Sequence, residues 1–398
     1  MEFGLFLQGY LPGPDAHDPG AEHEVMMREA EFAQTADRNN FKFCWLSEHH
    51  ALTEYSHISA SDVYAGYLAA TTDRIHIGSG IFNVSPRVNH PVRNAERVAM
   101  LDHLSNRRFE FGTGRGAGSH EVGTFNIHDP SSTKSEYDDV IREFVRMWER
   151  RDYTYQGKHF QLDVPHNILP KPYLPGHPPI WVACGNPATF EKAGSLGIGA
   201  LGFTFDTVDV MKERSEAYKQ AIADCTDPVG QYKNDNIMMT SMVYCAEDGA
   251  RAREQAARFG ARYVVSLVSL YHDSFPVHQA KRWPHPVRRL SLDQVEAAIE
   301  NGTMLCGSPD EVCEQLAKKD TTWLDQMVFA TAMELSFDER FEMLELVGQK
   351  VIPEFDSDPV ISTDRYRAQA EPKFGPYAKE PPPLETIWTS SAESPNPR

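Results

Sequence analysis

Arg108-Phe109-Glu110-Phe111-Gly112-Thr113-Gly114-Arg115-Gly116 reads as a strand that ends in three glycines around one arginine. The spacing is G-x-G-x-G, not the G-x-G-x-x-G of a dinucleotide fold, and no acidic residue stands where a βαβ unit of that kind needs one. Glycine lets a flat ring or a phosphate approach the backbone closely. One arginine among glycines suits an anion, which it can grip with two parallel bonds. The residues leave two readings of Arg115 open, an anion clamp and an ordinary surface arginine in a turn.

On both sides of this stretch, strand patterns alternate with helical ones. The strand patterns cover 2–8, 41–47, 74–81, 108–114, 179–184, 200–203, 237–245 and 325–330. Several are unbroken apolar runs, as parallel strands covered on both faces should be. Helical patterns fill 22–39, 61–70, 91–104, 133–150, 207–224, 308–318 and 336–351. Pro91 suits a first helical turn, Ser308 an N-cap, and Ser336 with Glu339 a capping box. Eight strands, each followed by a helix, predict an α/β fold of the (β/α)8 TIM-barrel type over 1–352. Residues 251–302 are too many for one crossover and predict an insertion between strands seven and eight, a lid over the barrel mouth. Over 353–398 the composition becomes that of a Pro-rich extended arm, as in Glu380-Pro381-Pro382-Pro383.

The 398 residues carry 39 basic against 57 acidic groups, a net charge of -18. Such a surface repels phosphate backbones and anionic membranes, and no basic stripe with interleaved aromatics offsets it. Neither nucleic acid nor membrane is expected as a partner. No stretch approaches the ~20 apolar residues of a membrane span, and residues 1–7 lack the features of a signal peptide. The expectation is a cytoplasmic protein. Cys44, Cys184, Cys225, Cys245, Cys306 and Cys313 contain no C-x-x-C pair and read as buried reduced thiols.

In a barrel of this type the chemistry sits at the carboxyl ends of the strands. Those ends carry Gln8-Gly9, Ser47-Glu48-His49-His50, Ser79-Gly80-Ile81, Gly112 to Gly116, Cys184-Gly185-Asn186 and Phe203 to Phe205. Gly80, Gly112 and Gly114 are candidates for close approach to a cofactor. On an extended segment His49 and His50 point to opposite sides, so one of them faces the mouth. A histidine there suits proton transfer, and a satisfied structural histidine is the alternative. No H-x-x-x-H or matching carboxylate cluster accompanies the pair, so no metal is expected. Asn186 suits an N-cap with Pro187 behind it, and the backbone N–H groups there suit an anion, although capping alone explains the residues. Gln8, Phe6, Phe82, Phe203 and Phe205 are candidates for the pocket wall, with plain core as the other reading of the aromatics.

Several segments together resemble the bacterial-luciferase-like (flavin-dependent alkanal monooxygenase-type) family in order and spacing. They are Phe3-Gly4-Leu5-Phe6, Trp45-Leu46-Ser47-Glu48-His49-His50, Ile77-Gly78-Ser79-Gly80, His90-Pro91-Val92-Arg93, Leu101-Asp102-His103-Leu104-Ser105 and the opening stretch 108–116. Similarity continues through 179–203 and Cys306-Gly307-Ser308-Pro309 and is absent from the arm. The resemblance implies a monooxygenase that takes reduced FMN from a separate flavin reductase. With O2, through a C4a-peroxyflavin, it would oxidise a small organic substrate, a carbonyl compound or a hydrophobic one. His49 is then the residue that manages protons near flavin and substrate. Gly80-Ile81 is then a non-prolyl cis peptide facing the isoalloxazine ring, and Arg115 with Gly185, Asn186 and Thr189 surrounds the FMN phosphate. A homodimer is implied as well.

Two departures bear on the chemistry. Luciferase carries a reactive cysteine where this chain has Gly114, so thiol chemistry is not expected. It carries an acidic residue and a serine where this chain has Gly185 and Asn186, so a backbone grip on the phosphate is expected. Related barrels bind F420 and move a hydride without oxygen, and a non-catalytic flavin-binding protein is the remaining alternative.

Overall fold

The apolar runs fold into twelve strands among the described residues of the computed structural model. These residues are 1–12, 15–52, 55–116, 118–173, 176–203, 206–259, 289–318, 321–331 and 335–370. The strands are β1 (Glu2–Leu7), β2 (Phe43–Leu46), β3 (His76–Ser79), β4 (Phe82–Asn83), β5 (Phe109–Gly114) and β6 (Tyr153–Gln156). They continue with β7 (Gln161–His166), β8 (Ile180–Ala183), β9 (Gly199–Gly202), β10 (Ile237–Cys245), β11 (Met304–Gly307) and β12 (Gln326–Thr331). The ring runs β1, β2, β3, β5, β8, β9, β10, β12, every pair parallel, and β12 pairs back onto β1. This is the predicted (β/α)8 TIM barrel. The short β4, the β6–β7 hairpin and β11 lie outside the ring and were not expected from the sequence.

Period-two alternation sorts the side chains of each strand. On β5, Phe111 packs outward on Phe144 and Trp148, at 5.2 and 6.1 Å between ring centroids. Glu110 points inward and accepts the Trp181 indole N–H at 2.7 Å. The barrel interior is filled by Phe43, Trp45, Trp181, Leu201, Met238 and Val328. Large residues sit over small ones there: a Cβ on Gly78 would lie 2.3 Å from the Trp45 ring.

Between β10 and β12 the chain forms the helices Gly249–Phe259 and Leu292–Asn301, then β11, then the helix Pro309–Lys318. Ala252, Ala256, Val295 and Ile299 build a satellite core with Tyr244 and Cys306. The insertion between strands seven and eight is therefore present. The lid was expected over 251–302, of which 260–288 lie outside the described residues.

The extended arm is corrected over its first part. Ile352–Phe355 is helical, and Ser362–Ala370 is a helix seated on the amino-terminal ends of the strands. Ile361 joins the interior cluster, and Ser362 donates to Glu2 at the start of β1 at 2.6 Å. Arg367 makes two 2.8 Å bonds to Asp102, with both side chains buried. The Pro-rich composition belongs to 371–398, outside the described residues, whereas 361–370 carries residues with buried partners. No helix among the described residues is long and apolar enough to cross a membrane.

Candidate active site

A cavity of about 680 Å³ opens at the carboxyl ends of the strands. It gathers most of the predicted residues: Phe6, Gln8, His49, Gly80, Ile81 and Phe203 on one side, and Gly114, Arg115, Gly185, Asn186 and Thr189 on the other. Gly112 and Phe82 do not line it, and Phe205 lies outside the described residues.

The two histidines diverge as extended neighbours must. His49 faces the cavity, with its N–H on the Ile58 carbonyl at 3.1 Å and its ring edge-on to Tyr55 at 5.2 Å. Its Nδ1 stands 3.5 Å from Glu121 Oε1, a carboxylate that is itself buried. His50 turns away onto Phe125, 5.1 Å between centroids, with Nε2 3.6 Å from Glu48. Burial opposes the His50 charge, but Glu48 and Glu121 outweigh it and raise the ring's pKa above the usual value. Glu48 also accepts the Ser61 hydroxyl at 2.7 Å and the Asn83 N–H at 3.2 Å, which fixes the turn after β2.

The wall between the strand ends is flat and apolar. The Gly80–Ile81 peptide is cis, as expected, and the Gly80 N–H is bound to the Leu46 carbonyl at 2.6 Å. Phe6 and Phe203 stack at 4.9 Å and reach Gly80, where a Cβ would lie 3.0 Å from Phe203. Two expectations need correction here. Gly112 does not line the cavity: a Cβ on it would lie 1.8 Å from the Ser79 carbonyl, so its bareness seats the chain behind the wall. Phe82 is not a pocket wall. It belongs to β4, whose pairing with β5 turns its ring outward onto Phe109 at 5.7 Å, under the Arg97 guanidinium at 4.6 Å.

The other end of the cavity suits an anion. Arg115 is half-buried and donates to the Pro130 carbonyl at 2.9 Å and Thr133 Oγ1 at 3.0 Å. No carboxylate faces it among the described residues, and burial lowers its pKa from the usual arginine value. Across from it Asn186 caps the helix Pro187–Ser195, and Asn186 and Thr189 satisfy each other in a capping box at 3.3 Å each way. Their side chains are thus engaged in capping, while a Cβ on Gly185 would meet nothing within 4 Å.

Glu121, Tyr55 and Lys134 also line the cavity and were missed. None stands at a strand end. Glu121 sits on the five-residue helix Ser119–Gly123, too short for a periodic pattern. Following the glycine-rich turn a few residues onward would have found it.

The family model for luciferase-like monooxygenases matches residues 1–326. The oxygenase component of flavin-dependent trigonelline monooxygenase from Acinetobacter baylyi is 24% identical over 364 residues, 90% of this chain and 97% of that protein. A type II Baeyer–Villiger monooxygenase in complex with FMN, the oxygenating constituent of 3,6-diketocamphane monooxygenase from Pseudomonas putida, has a TM-score of 0.70 at 19% identity. That likeness covers 89% of this chain and 98% of the other. Coenzyme F420-dependent tetrahydromethanopterin reductase from Methanopyrus kandleri has a TM-score of 0.60 at 18% identity, over 89% of this chain and 99% of that one. At such identities the two structures show a shared fold. With most of its length matched by the family model, the chain is an oxidoreductase that belongs to the luciferase-like monooxygenase family.

Proposed function

We propose that the cavity holds FMN, its phosphate at Arg115 and the Gly185 backbone and its ring against Gly80–Ile81, and that the reduced form serves to oxygenate a small organic substrate. One observation carries the reading: a single cavity joins a guanidinium that has no carboxylate partner among the described residues to a flat apolar wall and a histidine–carboxylate pair. The donor set fits the group, since a half-buried cation and an open glycine are what a phosphate needs. When bound, reduced FMN supplies the electrons and activates O2; the protein supplies position and protons. Arg115 fixes the phosphate, and Phe6 and Phe203 keep water from the reacting side. His49 gives or takes the proton at the substrate, and Glu121 beside Nδ1 steadies the charged ring. A separate reductase supplying reduced FMN agrees with the relative named as an oxygenase component.

The test uses the full chain, FMN kept reduced by an unrelated reductase, and a panel of aldehydes, cyclic ketones and terpenes under oxygen-18. One labelled oxygen in a product supports the reading. Turnover with reduced F420 and no oxygen would replace it by hydride transfer, and tight FMN retention without turnover of any compound would replace it by simple flavin binding. His49→Ala should keep FMN affinity and lower turnover at least about 100-fold; unchanged turnover would refute the assigned role.

A further inference from the structure

Oxygenation as proposed gives the Gln8 side chain no task. Gln8 follows β1 and lines the cavity, and only 2% of the residue is exposed. Its main chain is tied down. Glu29, fully buried on the helix Pro19–Arg38, accepts the Gln8 N–H at 2.9 Å and the Gly9 N–H at 3.2 Å. Arg340 holds that carboxylate in turn at 2.9 Å, and the Ser47 hydroxyl donates to the Gln8 carbonyl at 3.3 Å. The side chain is the opposite case. Oε1 is buried with no partner, and among the described residues Nε2 donates to none. Exchanging the amide oxygen and nitrogen changes nothing, because both ends are open. A buried amide left unpaired is costly, and this one belongs to a residue that lines the cavity.

We propose that the Gln8 carboxamide anchors the substrate, and that the substrate carries a cis-amide edge, a carbonyl beside an N–H, as in a lactam, an imide or a primary amide. The two groups pair through two parallel hydrogen bonds, Nε2 donating to the substrate carbonyl and the substrate N–H donating to Oε1. A plain aldehyde, ketone or ester meets half of this requirement. The pyrimidine ring of a flavin presents the same edge, and the strand order separates the two sources. β5 and β8, which lead into Arg115 and Gly185, stand three and four places round the ring from β1. A flavin held there by its phosphate, with its ring at Gly80–Ile81 on the way, leaves the β1 side to the substrate. The inference rests on that placement of the flavin.

Two probes of one shape test it. 2-Quinolone carries the amide edge, and coumarin has a ring oxygen in place of the N–H. Both are titrated calorimetrically into the wild-type protein and into Gln8→Met, with and without FMN, and FMN affinity is measured on the same samples. The wild type should bind 2-quinolone about 10- to 100-fold more tightly than coumarin. In Gln8→Met the two affinities should come within about threefold, with FMN affinity unchanged. Equal affinities in the wild type, or no 2-quinolone binding, overturn the proposal without any variant. A Gln8→Met protein that keeps the preference but loses FMN overturns it too, since Gln8 would then read the flavin. Failure of the wild type to bind FMN would overturn the flavin reading alone, because the probe ratio without FMN still decides the role of Gln8.

Discussion

In the proposed reading Arg115 and Glu121 divide the work of the cavity between two charges of opposite sign, and each can be removed alone. Arg115→Met should weaken FMN about 10- to 100-fold while leaving riboflavin, which lacks the phosphate, within about twofold. Flavin fluorescence quenching measures both, and parallel losses would mean that the arginine supports the fold rather than the phosphate. Glu121→Gln keeps the shape but removes the negative charge 3.5 Å from His49. Turnover should fall about tenfold with FMN affinity unchanged within about threefold, and steady-state rates at saturating substrate would show it. The places of His49, Gly80 and Arg115 around the cavity were legible in the sequence because each stands at the carboxyl end of a strand. Those of Gly112, Phe82 and Glu121 were not. The face a residue shows depends on pairing, as in β4, and the reach of a loop residue depends on a path that no periodicity records.

At the scale of elements, the helix Ser362–Ala370 fastens onto the barrel through a cluster in which His76, Glu110 and Thr363 are buried and Asp364 is exposed at the edge. His76 lies 2.7 Å from Glu110 and 3.5 Å from Asp364, and Thr363 donates to the same Glu110 at 2.5 Å. Burial disfavours the His76 charge, but Asp364 and Glu110 outweigh it and push the pKa up to about 9. Because the folded value lies above the unfolded one, this stabilisation is complete below about pH 6.5 and is lost as pH rises through about 9. Urea unfolding should lose on the order of 2–3 kcal/mol over that range, and His76→Gln should flatten the decline. An equal slope in the variant would count against the cluster. The barrel strands were readable from their apolar runs, with ends within two residues. The helix at 362–370 was not, because the prolines that follow it coloured the composition of the whole segment. The four residues of β11 lie between two helices in a stretch with no alternation to mark them.

At the scale of the molecule, the net charge of -18 works against compactness, since like charges repel across a surface that folding brings together. Raising sodium chloride from about 10 to about 200 mM shortens the screening length severalfold and should raise the melting temperature by roughly 2–4 °C. A fall on adding salt would show that surface ion pairs outweigh the net repulsion.

The closure of the ring has a consequence for how the protein is made. β1 finds one neighbour in β2 and the other in β12, with Glu2 beside Gln326, and Glu2 is also bound by Ser362. A nascent chain is therefore an open sheet with unpaired edges until β12 has left the ribosome, and it carries the aggregation hazard of such edges up to that point. Premature termination anywhere before β12 leaves the first strand with one of its two partners, so a copy becomes a closed barrel only when β12 is made.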